Sequence, residues 1–88
     1  MSPDLEQLDR EYETAEALFI DAVRRDASRS EQADAARAVA IAAAAWNTEA
    51  YRRLHAAEGP AREELVLLTE RTEVVEELWQ DIAAAFDS

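Results

Sequence analysis

The chain has 88 residues, with twenty acidic and nine basic side chains, no cysteine and a formal net charge of −11. This length suits one domain with a modest core, and the lack of cysteine excludes disulfides, thiolate catalysis and cysteine-based metal centres. Because a strongly negative field repels phosphate backbones, we expect no direct binding to nucleic acid.

The amino terminus has neither the basic nor the apolar region of a signal peptide. The longest uncharged run, residues 38–48, is too short to span a bilayer. We therefore expect a cytoplasmic protein that does not enter the membrane. All nine basic residues are arginine, and alanine is abundant, which is typical of a GC-rich bacterial genome.

The first segment predicts a helix over about residues 3–26. Residues 2–4 (Ser-Pro-Asp) provide an N-cap, a proline at the first helical position and an acidic first turn. Leu18 and Ile20 lie on opposite flanks of the predicted apolar face, and we expect the rest of the bundle to cover them. That face repeats every three or four residues and consists of Leu5, Leu8, Tyr12, Ala15, Phe19 and Ala22.

The middle segment predicts a helix over about residues 29–57. Ser28 and Glu31 have the spacing of a capping box, while Gly59 and Pro60 suit a left-handed C-cap followed by the start of another helix. The segment is rich in alanine and nearly apolar all round, so we expect it to lie between two bulkier helices. Its predicted inner face consists of Ala33, Ala36, Ala40, Ala43, Asn47, Ala50, Leu54 and Ala57.

The last segment predicts a helix over about residues 60–86, with the bulkiest apolar residues of the chain. We expect this helix to bury the most surface, because a second apolar row widens its main stripe. The main stripe is Ala61, Leu65, Leu68, Thr72, Val75, Trp79, Ile82 and Phe86, and the second row is Leu67, Val74, Leu78 and Ala85.

Two short turns between three long helices favour antiparallel neighbours. The sequence therefore predicts an all-α fold, a single-domain antiparallel up-down-up three-helix bundle that associates with copies of itself. Phe19 and Trp79 should meet at one level over the alanines of the middle helix, because large side chains facing small ones fill a core densely.

A short apolar strip lies on the predicted outward side of the middle helix. Ala38, Ile41 and Ala45 follow at spacings of three and four, about opposite the predicted inner face. A β-branched residue flanked by small ones on an outward face favours contact with a second copy of the chain. We predict that these three residues form a self-association site.

An acidic face is predicted on the last helix, with Val66 at its apolar centre. Glu70, Glu73 and Glu77 share that face, and like charges at these spacings disfavour one another. The face is therefore solvated or meets a protein with a basic surface, and we predict an acidic recognition face.

Catalysis and metal binding have little support in the sequence. His55 stands three residues before Glu58, the reverse of the Glu-x-x-His order of di-iron bundles, and the chain has no second pair. No serine or threonine has a histidine and a carboxylate nearby that could activate it as a nucleophile. Carboxylates that are adjacent in sequence diverge around a helix and do not converge on a substrate. We therefore assign no catalytic, cofactor or metal residues within the chain.

The sequence thus predicts a non-enzymatic acidic helical bundle that acts through contact with itself or with a basic protein. Two alternatives remain open. One is a metal-binding or small-ligand-binding bundle in which His55 and Glu58 join a symmetry partner. The other is an inhibitor, an antitoxin or a nucleic-acid mimic whose charge covers a basic cleft.

Overall fold

The computed structural model describes residues 4–87 and contains three helices: α1 (Leu5–Arg24), α2 (Arg29–Ala56) and α3 (Pro60–Phe86). α2 packs against both α1 and α3. The Tyr12 ring of α1 stacks on Trp46 of α2 with centroids 5.5 Å apart, and Arg29 Nη2 donates to the Phe86 carbonyl at the far end of α3 (3.3 Å). These contacts confirm the predicted all-α antiparallel three-helix bundle.

The bundle is elongated, with principal extents of 48 × 23 × 21 Å. Such a shape follows from helices of 20 to 28 residues, because each helical residue advances the chain by about 1.5 Å. Among the described residues, no helix combines the length and the apolar character that crossing a membrane requires.

α1 begins two residues later than the sequence predicts. Asp4 is its N-cap, and its side chain accepts a hydrogen bond from the Glu6 backbone N–H (3.2 Å). Aspartate is as good an N-cap as serine because both present an oxygen to the free N–H groups of the first turn. The predicted cap Ser2 and the proline Pro3 lie outside the described residues.

The turn between α1 and α2 is closed by an aspartate in the left-handed region. Asp26 has φ of 55°, and the Ala27 N–H donates to the Ala22 carbonyl (2.9 Å), as in a Schellman motif. Aspartate tolerates this conformation better than most side chains, so α1 ends at Arg24 without a glycine. Ser28 caps α2 as predicted, accepting from the Glu31 N–H at 3.1 Å.

The turn between α2 and α3 contains the predicted left-handed glycine, but with a different role. Gly59 has φ of 68° and is the N-cap of α3, with Pro60 as the first helical residue. α2 has already ended at Ala56, where Ala57 becomes extended. Arg62 Nη1 donates to the Leu54 carbonyl (3.0 Å) and so satisfies an acceptor at the end of α2.

The core is built from aromatic side chains around the alanines of α2. Trp79 packs edge-on against Phe19 with ring centroids 5.2 Å apart, as the sequence predicted. Trp46 is also buried, with 2% of its surface exposed, although the predicted inner face of α2 did not include it. Because α1 and α3 pack on two sides of α2, the buried part of its circumference is wider than the predicted inner face. The buried cluster consists of Leu8, Tyr12, Val39, Ala43, Trp46 and Trp79.

The sequence predicts that α3 buries the most surface, but fewer of its residues are buried than those of α2. The buried residues lie mainly on α2, while Leu67, Val74 and Leu78 of α3 are more than half exposed. Leu18 and Ile20 of α1 are also exposed, at 62% and 40%, contrary to expectation. The reason is geometric: each outer helix packs on α2 along one side, and its opposite side has no neighbour.

Candidate interaction surface

The outer face of α2 carries the three residues of the predicted self-association strip, Ala38, Ile41 and Ala45. All three are exposed, and 71% of the Ile41 surface is accessible, the largest value among the exposed large apolar residues. Val39 and Ala43, which lie between them in sequence, are completely buried. The strip therefore points away from α1 and α3, while the opposite side of α2 forms the core. We refer to these three residues as the α2 strip.

The charge around the α2 strip differs from that of the other helices. α2 contains four arginines and three acidic residues, whereas α1 has six acidic residues and two arginines, and α3 has seven and two. The acidic excess of the chain thus lies mostly on α1 and α3. The α2 strip lies within the uncharged run 38–48. Among the exposed apolar surfaces, it is therefore the one where electrostatic repulsion between two acidic chains is smallest.

Ion pairs on α2 flank the strip at both ends. Arg37 Nη1 lies 2.6 Å from Asp34 Oδ1 on the amino-terminal side, with 46% of the arginine and 73% of the aspartate side chain exposed. On the carboxyl-terminal side, Arg52 Nε donates to Glu49 Oε2 (2.8 Å), with 57% of the arginine side chain exposed. The strip is thus an uncharged segment bounded by exposed groups of both signs.

Glu49 is a buried carboxylate that the sequence analysis missed. Only 5% of its surface is exposed, and it accepts hydrogen bonds from both Arg52 and Arg53. The bond from Arg52 contributes most to lowering the pKa of Glu49 to about 2, against the opposing effect of burial. The spacing of three and four residues between this carboxylate and its arginines is the available sequence signal.

We expect Glu49→Gln to destabilise the protein at neutral pH and to flatten its acid sensitivity. The folded-state pKa of Glu49 lies below the ordinary value of 4.5, so its contribution is complete above that value and is lost as pH falls towards 2. Urea unfolding at pH 7, 4 and 2.5 should therefore show wild type and variant converging at the lowest pH. Glu70→Gln, at an exposed site on α3, is the matched control. A constant difference between wild type and Glu49→Gln across this range would contradict the assignment.

The predicted acidic face on α3 is exposed, but one of its members is engaged within the chain. Glu70 and Glu77 are exposed, and Val66 is 36% exposed. Glu73 accepts a hydrogen bond from the Tyr51 hydroxyl of α2 (2.9 Å), which raises the pKa of Tyr51. Part of this face therefore fastens α3 to α2 and is less available to a partner than the sequence suggested.

An exposed apolar row lies on α3 as well, among acidic residues. Leu67, Val74 and Leu78 expose 68%, 66% and 53% of their surfaces, and their spacings of seven and four place them on one side of the helix. Glu77 and the other carboxylates of α3 are close to them in sequence. Two copies meeting along this row would bring many like charges together, which disfavours it as a surface for self-contact.

A polar network joins α2 to α3 in the interior. Asn47 Nδ2 donates to Glu76 Oε2 (2.6 Å), and the Thr72 hydroxyl donates to Asn47 Oδ1 (2.7 Å). Thr72 is fully buried. Because both ends of the Asn47 amide are used, the network fixes the register of the two helices and offers no free group for chemistry.

A second network joins α1 to α3 through Tyr12. Trp79 Nε1 donates to the Tyr12 hydroxyl (3.0 Å), which in turn donates to Glu16 Oε2 (2.7 Å). Burial raises the pKa of Tyr12, and the bond to Glu16 acts in the same direction. Among the described residues, no buried side-chain nitrogen or oxygen lacks a hydrogen-bond partner. These interior polar groups therefore serve to hold the helices together through hydrogen bonds.

The metal-binding alternative depends on two residues at the carboxyl end of α2 and in the turn that follows it. His55 and Glu58 are both exposed, and residues 4–87 contain no group of three or more His, Cys, Asp and Glu side chains placed to hold an ion. A shallow open cavity of about 310 Å³ runs along α1. Its lining comes from one helix face and mixes charged, polar and apolar groups: Gln7, Arg10, Glu11, Thr14, Ala15 and Leu18.

The surface of this molecule thus offers an uncharged apolar strip on α2 and an acidic, partly apolar side on α3. Comparison of the chain with protein-family models, with curated proteins and with solved structures gives no match. Its function is therefore inferred from these two surfaces.

Proposed function

We propose that this protein is a non-catalytic acidic helical bundle that associates with a second copy of itself through the α2 strip. The observation that carries the proposal is the 71% exposure of Ile41 at the centre of an uncharged helix face. Covering such a side chain on both partners is favourable, at roughly 1.5–3 kcal/mol for complete burial of each. The alanines on either side allow the two helices to approach closely.

The charge distribution favours this face over the other exposed apolar surfaces. Each chain carries a net charge of −11, so two copies repel one another, and contact is least unfavourable where acidic residues are scarce. Added salt screens that repulsion within about 10 Å at 0.1 M ionic strength. Self-association should therefore strengthen as the salt concentration rises.

The expected assembly is a weak, concentration-dependent dimer, because one helix face buries less surface than a stable interface of the usual size. Ile41→Arg should shift the molecule to monomer at every concentration, since it places two buried cations at the centre of the contact. Sedimentation velocity from micromolar to about millimolar protein measures this shift. Far-UV circular dichroism should remain unchanged, because Ile41 is largely exposed within one subunit.

Leu18→Arg is the matched control, since Leu18 is 62% exposed and lies on α1, outside the α2 strip. It should leave the dimer intact. A wild-type protein that stays monomeric at high salt and millimolar concentration would refute the proposal. Equal effects of the two arginine substitutions would refute the α2 strip as the contact.

A second candidate is contact between α3 and a protein with a basic surface, as an inhibitor or antitoxin would make. The exposed row Leu67, Val74 and Leu78 favours it, because an apolar centre among carboxylates suits a partner with apolar and basic groups. Its salt dependence has the opposite sign, because screening weakens attraction between opposite charges. In either case we propose the cytoplasm as the location.

A further inference from the structure

We infer that two copies of this chain pair through α2 in antiparallel orientation. The two-fold axis crosses the exposed face of α2 midway between Ile41 and Ala45, at the level of position 43 along the helix. This inference rests on the self-association proposed above and adds the geometry of the contact. Its basis is an internal symmetry of the exposed face of α2. The face reads Asp34, Ile41, Ala45 and Arg52, with spacings of seven, four and seven.

These four residues share one side of the helix. Asp34 and Arg52 are eighteen positions apart in sequence, which corresponds to about five helical turns, so both point in the same direction as the α2 strip. All four are exposed. The side chain of Asp34 is 73% exposed and that of Arg52 is 57% exposed, so both can reach a neighbouring molecule.

An antiparallel two-fold pairing about position 43 makes this face complementary to itself. Ile41 of one copy then lies against Ala45 of the other, so that the large side chain meets a small one at both equivalent positions. Asp34 of each copy lies opposite Arg52 of the other, so the intrahelical pairs Asp34–Arg37 and Glu49–Arg52 join into a network across the interface.

A parallel pairing has the opposite electrostatic consequence. It places Asp34 against Asp34 and Arg52 against Arg52, so that both ends of the contact carry like charges. Ile41 would also meet Ile41 and hold the helices apart at the centre. The pattern of charge and size on α2 thus selects one orientation.

Disulfide trapping tests the orientation directly, because the described chain contains no cysteine to interfere. A disulfide requires Cα atoms within about 7 Å. In the antiparallel pair, Ala38→Cys of one copy faces Thr48→Cys of the other, whereas a parallel pair displaces these positions by roughly 15 Å along the axis. A mixture of the two variants should therefore cross-link between them under mild oxidation. Thr48→Cys alone should not cross-link, since its two copies are displaced by roughly 15 Å along the axis.

Charge exchange provides a second measurement that leaves the centre of the contact intact. Asp34→Arg or Arg52→Asp alone should raise the dimer dissociation constant by on the order of tenfold, because the symmetry disrupts each pair twice. Arg52→Asp also removes a hydrogen-bond donor of the buried Glu49, so urea unfolding first establishes that each variant is folded under the conditions compared. The double variant restores opposite charges across the axis and should regain most of the affinity. Sedimentation equilibrium measures all three variants against wild type.

The outcomes separate this inference from the proposed function. A wild-type dimer whose Thr48→Cys variant cross-links with itself would overturn the antiparallel geometry and leave self-association standing. A double charge variant that is folded but dimerises no better than the single variants would also overturn it. A wild type that is monomeric throughout would overturn both. A cross-link that forms in the Ala38→Cys and Thr48→Cys mixture but in neither variant alone, with recovery in the double charge variant, supports the antiparallel pairing.

Discussion

Trp79→Ala is expected to lower the free energy of unfolding by roughly 3–5 kcal/mol, the range found when a large buried aromatic side chain is removed. Trp79 is 6% exposed, packs edge-on against Phe19 and donates its indole N–H to the Tyr12 hydroxyl. Its removal leaves a cavity where all three helices meet. A small domain has only about 5–15 kcal/mol of stability in total, so the loss is a large fraction of it.

Urea unfolding followed by far-UV circular dichroism measures this effect, with Leu78→Ala as the matched control. Leu78 is the preceding residue on the same helix but is 53% exposed, so its truncation should cost about 0.5 kcal/mol. Trp79→Phe keeps an aromatic ring but removes the indole N–H donor. Its loss in the free energy of unfolding should lie between those of Trp79→Ala and Leu78→Ala. Similar losses for Trp79→Ala and Leu78→Ala would contradict the packing of α3 on the core.

Ala43→Leu is expected to destabilise the bundle by about 1–3 kcal/mol or more, although leucine is an excellent helix former. Ala43 is completely buried on α2 within the aromatic cluster. The added side-chain atoms have no space, so α1 and α3 must move outwards and lose contacts with one another. The substitution therefore tests whether the slenderness of α2 is a requirement of the fold.

Ala45→Leu is the control for this prediction, two residues further along the same helix but on its exposed face. It has a similar effect on helix propensity and should change the free energy of unfolding by about 0.5 kcal/mol or less. Both variants are measured at low micromolar concentration, so that association through the α2 strip does not contribute. Equal stability of the two leucine variants would show that α2 is not enclosed at Ala43.

The sequence predicted where the helices begin and end with good accuracy, because those signals are local. Ser28 caps α2 through the Glu31 N–H, and Pro60 starts α3, as predicted. Gly59, predicted as the C-cap of α2, is instead the N-cap of α3. The end of α1 was predicted two residues late because Asp26 adopts the left-handed conformation that was assigned only to glycine. A turn closed by aspartate leaves no strong composition signal.

The candidate site was predictable in position but not in its surroundings. The apolar periodicity placed Ala38, Ile41 and Ala45 opposite the predicted inner face of α2, and all three are exposed in the structure. Their role in association remains a prediction. The burial of Glu49 beside two arginines was missed, because a charged residue is assigned to the surface unless its partners are recognised. The near-neutral charge of α2 could have been counted from the sequence once its bounds were known.

By itself the sequence determined three helices, two turns and a thin middle helix, since propensity, capping and apolar period act over a few neighbouring residues. Only the tertiary structure decided which flank of each helix is covered. Trp46 is buried while Leu67 and Val74 are exposed, because α1 and α3 pack on two sides of α2 and leave their own outer sides without a neighbour. Burial depends on where the other helices lie, and no local sequence pattern specifies the directions from which α1 and α3 approach α2.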